Sequence, residues 1–191
     1  MGDPETPVRS AEVPHEPTPE ELATIEERRK LRVKGYIELL HDPNLNSRWR
    51  AAEALGDEGD LSAVEPLIEA LRDRFVDVSW LAAKSLGKLG DSRAVGPLLE
   101  CLKSDDKWLR TGAAWALGKL RDIKAVDPLL LLLRDTKKMV RKNAAWALGN
   151  IGDERSISGL TELLTDENEE VRETARQAIE TLQSTRSKPV Q

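Results

Sequence analysis

The chain repeats itself every 31 residues, and nothing else limits its fold so strongly. Leu55, Leu86, Leu117 and Leu148 hold equivalent places in "AAEALG", "AAKSLG", "AAWALG" and "AAWALG", and Ile179 continues the series at the same 31-residue step. A second ladder agrees: Pro66, Pro97 and Pro128 each open a "PLI" or "PLL" run, with Gly35 and Gly159 in the same register. Five copies of one unit therefore fill residues 35–183. A unit of this size cannot bury its apolar face alone, so neighbours stack and share one continuous core.

Each unit reads as two helices. The first, helix A, begins at a Pro, as in "DPLLLLLRD" (Asp127 to Asp135), where the missing N–H costs nothing in the first helical turn. The second, helix B, is exemplified by "MVRKNAAWALGNIGD" (Met139 to Asp153). Its Val140, Ala144, Ala147, Leu148 and Ile151 recur at the spacing of one buried stripe. Gly90 and Gly152 sit where a left-handed C-cap is expected. Asp60, Asp91, Asp122 and Asp153 follow as caps or turn acceptors for the next segment.

The unit carries a family resemblance. "DTKKMVRKNAAWALG" (Asp135 to Gly149) and "DDKWLRTGAAWALG" (Asp105 to Gly118) resemble the HEAT-like repeats of the phycobilisome lyase type. The resemblance implies an all-α, right-handed α-solenoid with helix A on the convex side and helix B lining the concave side. Two positions depart from the pattern: Glu58 stands where its sister repeats have Leu89, Leu120 and Ile151, and Arg121 stands where Gly is expected. The scaffold serves many functions, so the function must be sought in the exposed residues.

The ends are expected to differ from the repeats. Residues 1–17 hold four of the ten Pro and little apolar content, which predicts a disordered leader. "TPEE" (Thr18 to Glu21) is a capping box with Pro at the first helical position, opening a charged capping helix over residues 18–34. The last repeat, "RETARQAIETLQ" (Arg172 to Gln183), is polar on its outer face and acts as the closing cap, and 184–191 is too polar to pack.

Helical geometry separates core from surface in helix B. At about 100° per residue, with Trp146 as origin, Lys142 and Asn150 lie within about 40° and Met139 about 20° away, whereas the apolar stripe points to the other side. Shifting by the repeat puts Trp115 in the register of Trp146, Trp49 and Trp80 in that of Lys142, and Trp108 in that of Met139. All five Trp of a chain with one Phe and one Tyr thus fall on the outward stripe, and Leu81 joins them. Lys84, Lys88, Lys119 and Lys142 add a basic centre between Glu53 and Asp57 on one side and Glu170, Glu173 and Gln177 on the other. Bulky amphipathic rings outside the core suggest a binding surface. The alternative is that the rings lie flat between neighbouring B helices and cover Lys stems.

Other ladders read as structural. Arg48, Arg110, Arg141 and Arg172 share one register and Asp42, Asp73, Asp135 and Asp166 another, as expected for ion pairs that tie successive repeats. Cys101 aligns with Ala70 and Leu132 and is expected to be a buried small residue.

The expected function is therefore that of a non-enzymatic interaction module, gripping the acidic, apolar helix or tail of a partner protein in a Trp- and Lys-lined groove. The net charge of -5 disfavours, without excluding, a nucleic-acid binder. A lyase or chaperone subunit for a tetrapyrrole-bearing protein is the other alternative, implied by the resemblance alone. No cofactor, metal site or membrane partner is expected. HEAT-like iron hydroxylases need repeated His-Glu pairs on the inner helices, and the only such pair here, His15-Glu16, precedes the repeats. One Cys and the lack of an apolar span point to a cytoplasmic chain.

Overall fold

A computed structural model describes residues 18–186, in which the chain is helical with no strand. The helices are α1 (Pro19–Leu39), α2 (Leu45–Glu58), α3 (Val64–Ala70), α4 (Val76–Leu89), α5 (Val95–Cys101), α6 (Lys107–Leu120), α7 (Val126–Leu132), α8 (Lys138–Ile151), α9 (Ser156–Glu162) and α10 (Glu169–Arg186). The short helices α3, α5, α7 and α9 are A helices, and α2, α4, α6, α8 and α10 are B helices. The expected leader over 1–17 lies outside the described residues. Of the expected tail, 184–186 continue α10 as helix and the remainder lies outside the described residues.

The expected signals set the helix ends. Thr18 forms the capping box with Glu21: each backbone N–H is taken by the other's side chain. Asp60, Asp91, Asp122 and Asp153 accept the N–H two residues on, at 2.8–2.9 Å. Gly59, Gly90 and Gly152 close B helices at φ of +69°, +74° and +87°, and Arg121 does the same at +55°. Only glycine adopts that conformation without steric cost, so Arg121 is strained.

One boundary differs from the expectation. The capping helix does not stop near residue 34; α1 runs unbroken to Leu39, so that cap and the first helix A are one helix. Gly35 lies inside it. A helical glycine costs about 1 kcal/mol relative to Ala, and burial of Val33 and Leu40 with partial burial of Tyr36 and Ile37 offsets this.

This helix also explains Glu58. Arg32 Nε lies 2.8 Å from the Glu58 carboxylate, while Arg29 donates to the Glu58 carbonyl at 2.6 Å, satisfying a group left open at the end of α2. The hydrogen bond from Arg32 holds the Glu58 carboxyl below its usual range. A leucine there would meet two guanidinium groups rather than a neighbouring repeat.

The core follows the repeat. Leu55, Leu86, Leu117 and Leu148 are at most 1% exposed, with Leu67, Leu98, Leu129 and Leu160 from the A helices at 0%. Successive B helices pack closely along the stack, whereas successive A helices hardly touch. The B row is therefore the inside of the curve. The glycine of "LG" allows that approach: a Cβ built on Gly87 would lie 2.7 Å from Ala116 Cα, and one on Gly118 2.7 Å from Ala147 Cα.

The ion-pair ladder is present at three rungs, while Arg172, expected in the same register, donates to the backbone carbonyls of Asp166 and Glu167. Arg48 pairs with Asp73, Arg110 with Asp135 and Arg141 with Asp166, each at 2.7 Å between adjacent repeats. The same arginines also donate to backbone carbonyls of their own repeats, at Asp42, Ser104 and Asp135. At the equivalent rung between the second and third repeats both partners are missing together, replaced by Ser79 and Ser104. Cys101 is half-buried, and burial pushes its thiol up to about 11, which keeps it protonated and unreactive at neutral pH.

Candidate functional site

The inner faces of α4, α6 and α8 bring five of the expected residues into one track: Trp80, Lys84, Trp115, Lys119 and Trp146. Trp80 leans forward, so that a Cβ on Gly112 of α6 would lie 2.8 Å from its ring. Trp115 leans back over Gly87 of α4, and Trp146 back over Gly118 of α6, with ring atoms 3.0 and 2.8 Å from the built Cβ positions. The glycines that let the B helices close up are thus the floor on which the indoles lie. Trp115 and Trp146 stack with centroids 6.1 Å apart and planes 6° from parallel.

The lysines divide into two groups. Lys88 pairs with Asp57 at 2.6 Å, and Lys142 with Glu170 at 2.7 Å. Lys84 Nζ instead lies 4.7 Å from the Trp80 ring and 5.9 Å from that of Trp115, and Lys119 Nζ 5.9 Å from Trp115. Among the described residues, neither Lys84 nor Lys119 has a carboxylate partner. Their positive charge is held by indole faces, a weaker hold than a carboxylate gives.

Three expectations need correction. Leu81 does not belong to the surface: it is 4% exposed and part of the core. It lies about 60° from the Trp146 axis, in the register of Gly112, where the neighbouring B helix covers the side chain. Trp80, Trp115 and Trp146 are not freely solvent-facing but half-buried and packed against the core, because close B helices offer them a floor. Asn150 donates to the Trp146 carbonyl at 2.8 Å, so its amide is engaged within its own helix.

The exposed indoles are Trp49 at 37% and Trp108 at 45%, with Met139 at 37%. Trp108 and Met139 line a recess of about 340 Å³ with Lys107, Thr136, Lys137, Lys138 and Glu167 at the start of α6 and α8. Lys107 Nζ lies 5.0 Å from the Trp108 ring. Lys107, Lys137 and Lys138 lie outside the outward stripe, because residues at a helix start fan out beyond it. Their closeness in sequence to Trp108 and Met139 was the available signal.

The site offers aromatic area and two loosely held cations. Among the described residues no group of three or more His, Cys, Asp or Glu could hold a metal ion, and no helix is long and apolar enough to cross a membrane.

Comparison with known proteins agrees with this architecture. The family model for HEAT repeats matches twice, over residues 33–118 and 97–180. The chain is similar to the complex of CpcE and CpcF of phycocyanin lyase from Nostoc sp. PCC7120, at 28% identity and TM-score 0.72, covering 95% of this chain and 71% of that one. An engineered protein matches at 25% identity and TM-score 0.67, covering 86% of this chain and 84% of its own. A designed armadillo repeat protein shares the fold at 23% identity and TM-score 0.63, over 85% and 86% of the two chains. No curated protein matches by sequence. With the repeat model matching most of its length, the chain belongs to the HEAT-repeat family.

Proposed function

We propose that this chain is a non-catalytic protein-interaction module, which binds a segment of a partner protein along the inner helix row. The observation that carries the reading is the track of Trp80, Trp115 and Trp146 with Lys84 and Lys119 left without carboxylates. Half-buried indoles give a binding surface rigidity, since little side-chain entropy remains to be lost on association. Loosely held ammonium groups can exchange an indole face for a partner's carboxylate at small cost. The HEAT-repeat scaffold supports a protein partner.

Affinity purification from the native cell, with the parent chain beside the double variant Trp115→Ala plus Trp146→Ala, tests the reading. A protein retained by the parent and lost by the folded variant is the expected result. Identical retention by both overturns it.

A narrower reading rests on the likeness to the phycocyanin lyase complex over nearly the whole chain. It makes this chain a subunit that handles a tetrapyrrole-bearing protein. Titration calorimetry with phycocyanin separates the two: measurable binding favours the narrower role, and its absence leaves the general one.

A further inference from the structure

The inner surface changes chemical character between its first repeat and its centre. On α2, Trp49 and Glu53 lie four residues apart and so on one face, both exposed. Glu53 has no ion-pair partner among the described residues, whereas Asp57, one turn further on, is taken by Lys88. An open indole beside a free carboxylate is a site for a cation, which gains from ring and charge together. One helix away, in the register of Glu53, stands Lys84, followed by Lys119 on the next helix, and both are free of carboxylates. The surface is thus a cation acceptor next to an anion acceptor, separated by one inter-helix spacing of about 8–10 Å.

We infer that the occupant is a bipolar polypeptide segment, with a Lys or Arg on Trp49 and Glu53 and an acidic cluster with apolar neighbours on Lys84, Lys119 and the Trp115–Trp146 stack. This inference rests on the protein-binding reading of the same surface and adds the order of charge to it. In an extended segment, at about 3.3 Å per residue, the cation and the first carboxylate fall about three residues apart. A nucleic-acid strand does not suit such a surface, because its phosphates continue past the centre onto Glu53 and Asp57 at one end and Glu170 and Glu173 at the other. Arg50 lies near enough in sequence to compete for Glu53, yet makes no ion pair with it.

The test uses the full chain and two fluorescein-labelled peptides of one composition, read by fluorescence anisotropy. In the bipolar peptide Lys and Arg are gathered at one end and Glu with Leu at the other; in the second peptide the same residues alternate. The bipolar peptide is expected to bind about tenfold tighter. Glu53→Gln should weaken it several-fold while leaving an all-acidic peptide unaffected or bound more tightly. Lys84→Gln plus Lys119→Gln should weaken both. Equal affinity for the two orders, no binding of either, or a Glu53→Gln variant that binds the bipolar peptide as well as the parent overturns the inference. So does an oligothymidine that displaces the peptide at physiological salt. Failure of the peptides, alongside a native partner still lost on cutting Trp115 and Trp146, removes the charge order alone. Retention of that partner by the Trp variant removes the underlying reading.

Discussion

The indole of Trp115 stacks on that of Trp146, 6.1 Å between centroids and 6° from parallel, and each ring also lies over a glycine of the preceding B helix. One contact thus serves two purposes. The inner edge of each ring packs against the glycine, Gly87 or Gly118, at which the two helices come closest, and the outer edge forms the surface offered to a partner. The slot varies between repeats because only the third and fourth use it in this way; Glu53 and Lys84 fill it in the first and second.

Cutting both rings is therefore expected to affect stability as well as binding. A fully buried Trp cut to Ala costs roughly 3 to 5 kcal/mol, and these half-buried rings should each lose about 1 to 3 kcal/mol. A double-mutant cycle in urea should show coupling of about 0.5 to 1.5 kcal/mol, as found for stacked aromatic pairs. Additive losses would mean that the stack contributes nothing beyond burial. Binding assays must be run where the variant is still folded.

Gly118 gives a sharper test of packing. Gly118→Ala should raise intrinsic helix propensity by about 1 kcal/mol, yet its Cβ would lie 2.7 Å from Ala147 Cα and 2.8 Å from the Trp146 ring. The ring can move but the neighbouring backbone cannot, so overpacking should win and leave a net loss of about 2 kcal/mol. Gly96→Ala in α5 is the control: nothing lies within 4 Å of its built Cβ, and the variant should gain about 0.5 kcal/mol or more. Denaturant midpoints that shift in the same direction for both would contradict the assigned helix contact.

These residues show how far the sequence could be read. Leu117, the Arg141–Asp166 rung and the exposure of Trp49 and Trp108 were legible, because each follows from a fixed period and one helical angle. Leu81 was not, since a single-helix projection locates the outward direction but not how far a neighbouring helix reaches across it. The tilt of Trp115 over Gly87 likewise depends on a close approach that only the stack creates. Glu58 stood out as a departure, but its partner Arg32 sits in the preceding helix, outside the repeat register.

Arg121 is expected to be improvable. Its backbone is held at φ +55° while its sister positions in the first, second and fourth repeats are glycine. A side chain in that conformation costs roughly 1 to 2 kcal/mol, partly cancelled in the exchange by the greater freedom of an unfolded glycine. Arg121→Gly should therefore raise stability by about 0.5 to 1 kcal/mol, read as a higher denaturant midpoint at unchanged m-value. A loss of stability would mean that the Arg121 side chain makes a contact outweighing the strain.

Acid should loosen the ladder that joins the repeats. The Asp166 carboxyl is held below its usual value chiefly by the hydrogen bond from Arg141, with lesser help from the Asn168 N–H and from Arg172. Its unfolded counterpart titrates near 3.9. The folded chain thus favours the ionised form, so this contact stabilises the fold fully above about pH 4 and stops doing so as pH falls through the lower folded value. Asp153, lowered mainly by Arg155, acts in the same direction. Unfolding free energy measured in urea should be nearly level from about pH 8 to 5 and fall below about pH 4. Asp166→Asn should flatten part of that fall. It should also cost about 3 kcal/mol at neutral pH, because Arg141, with a side chain only 9% exposed, loses its bidentate partner. A variant with parental stability at pH 7 and the parental acid slope would show that the Arg141–Asp166 rung does not tie the last repeat to the stack.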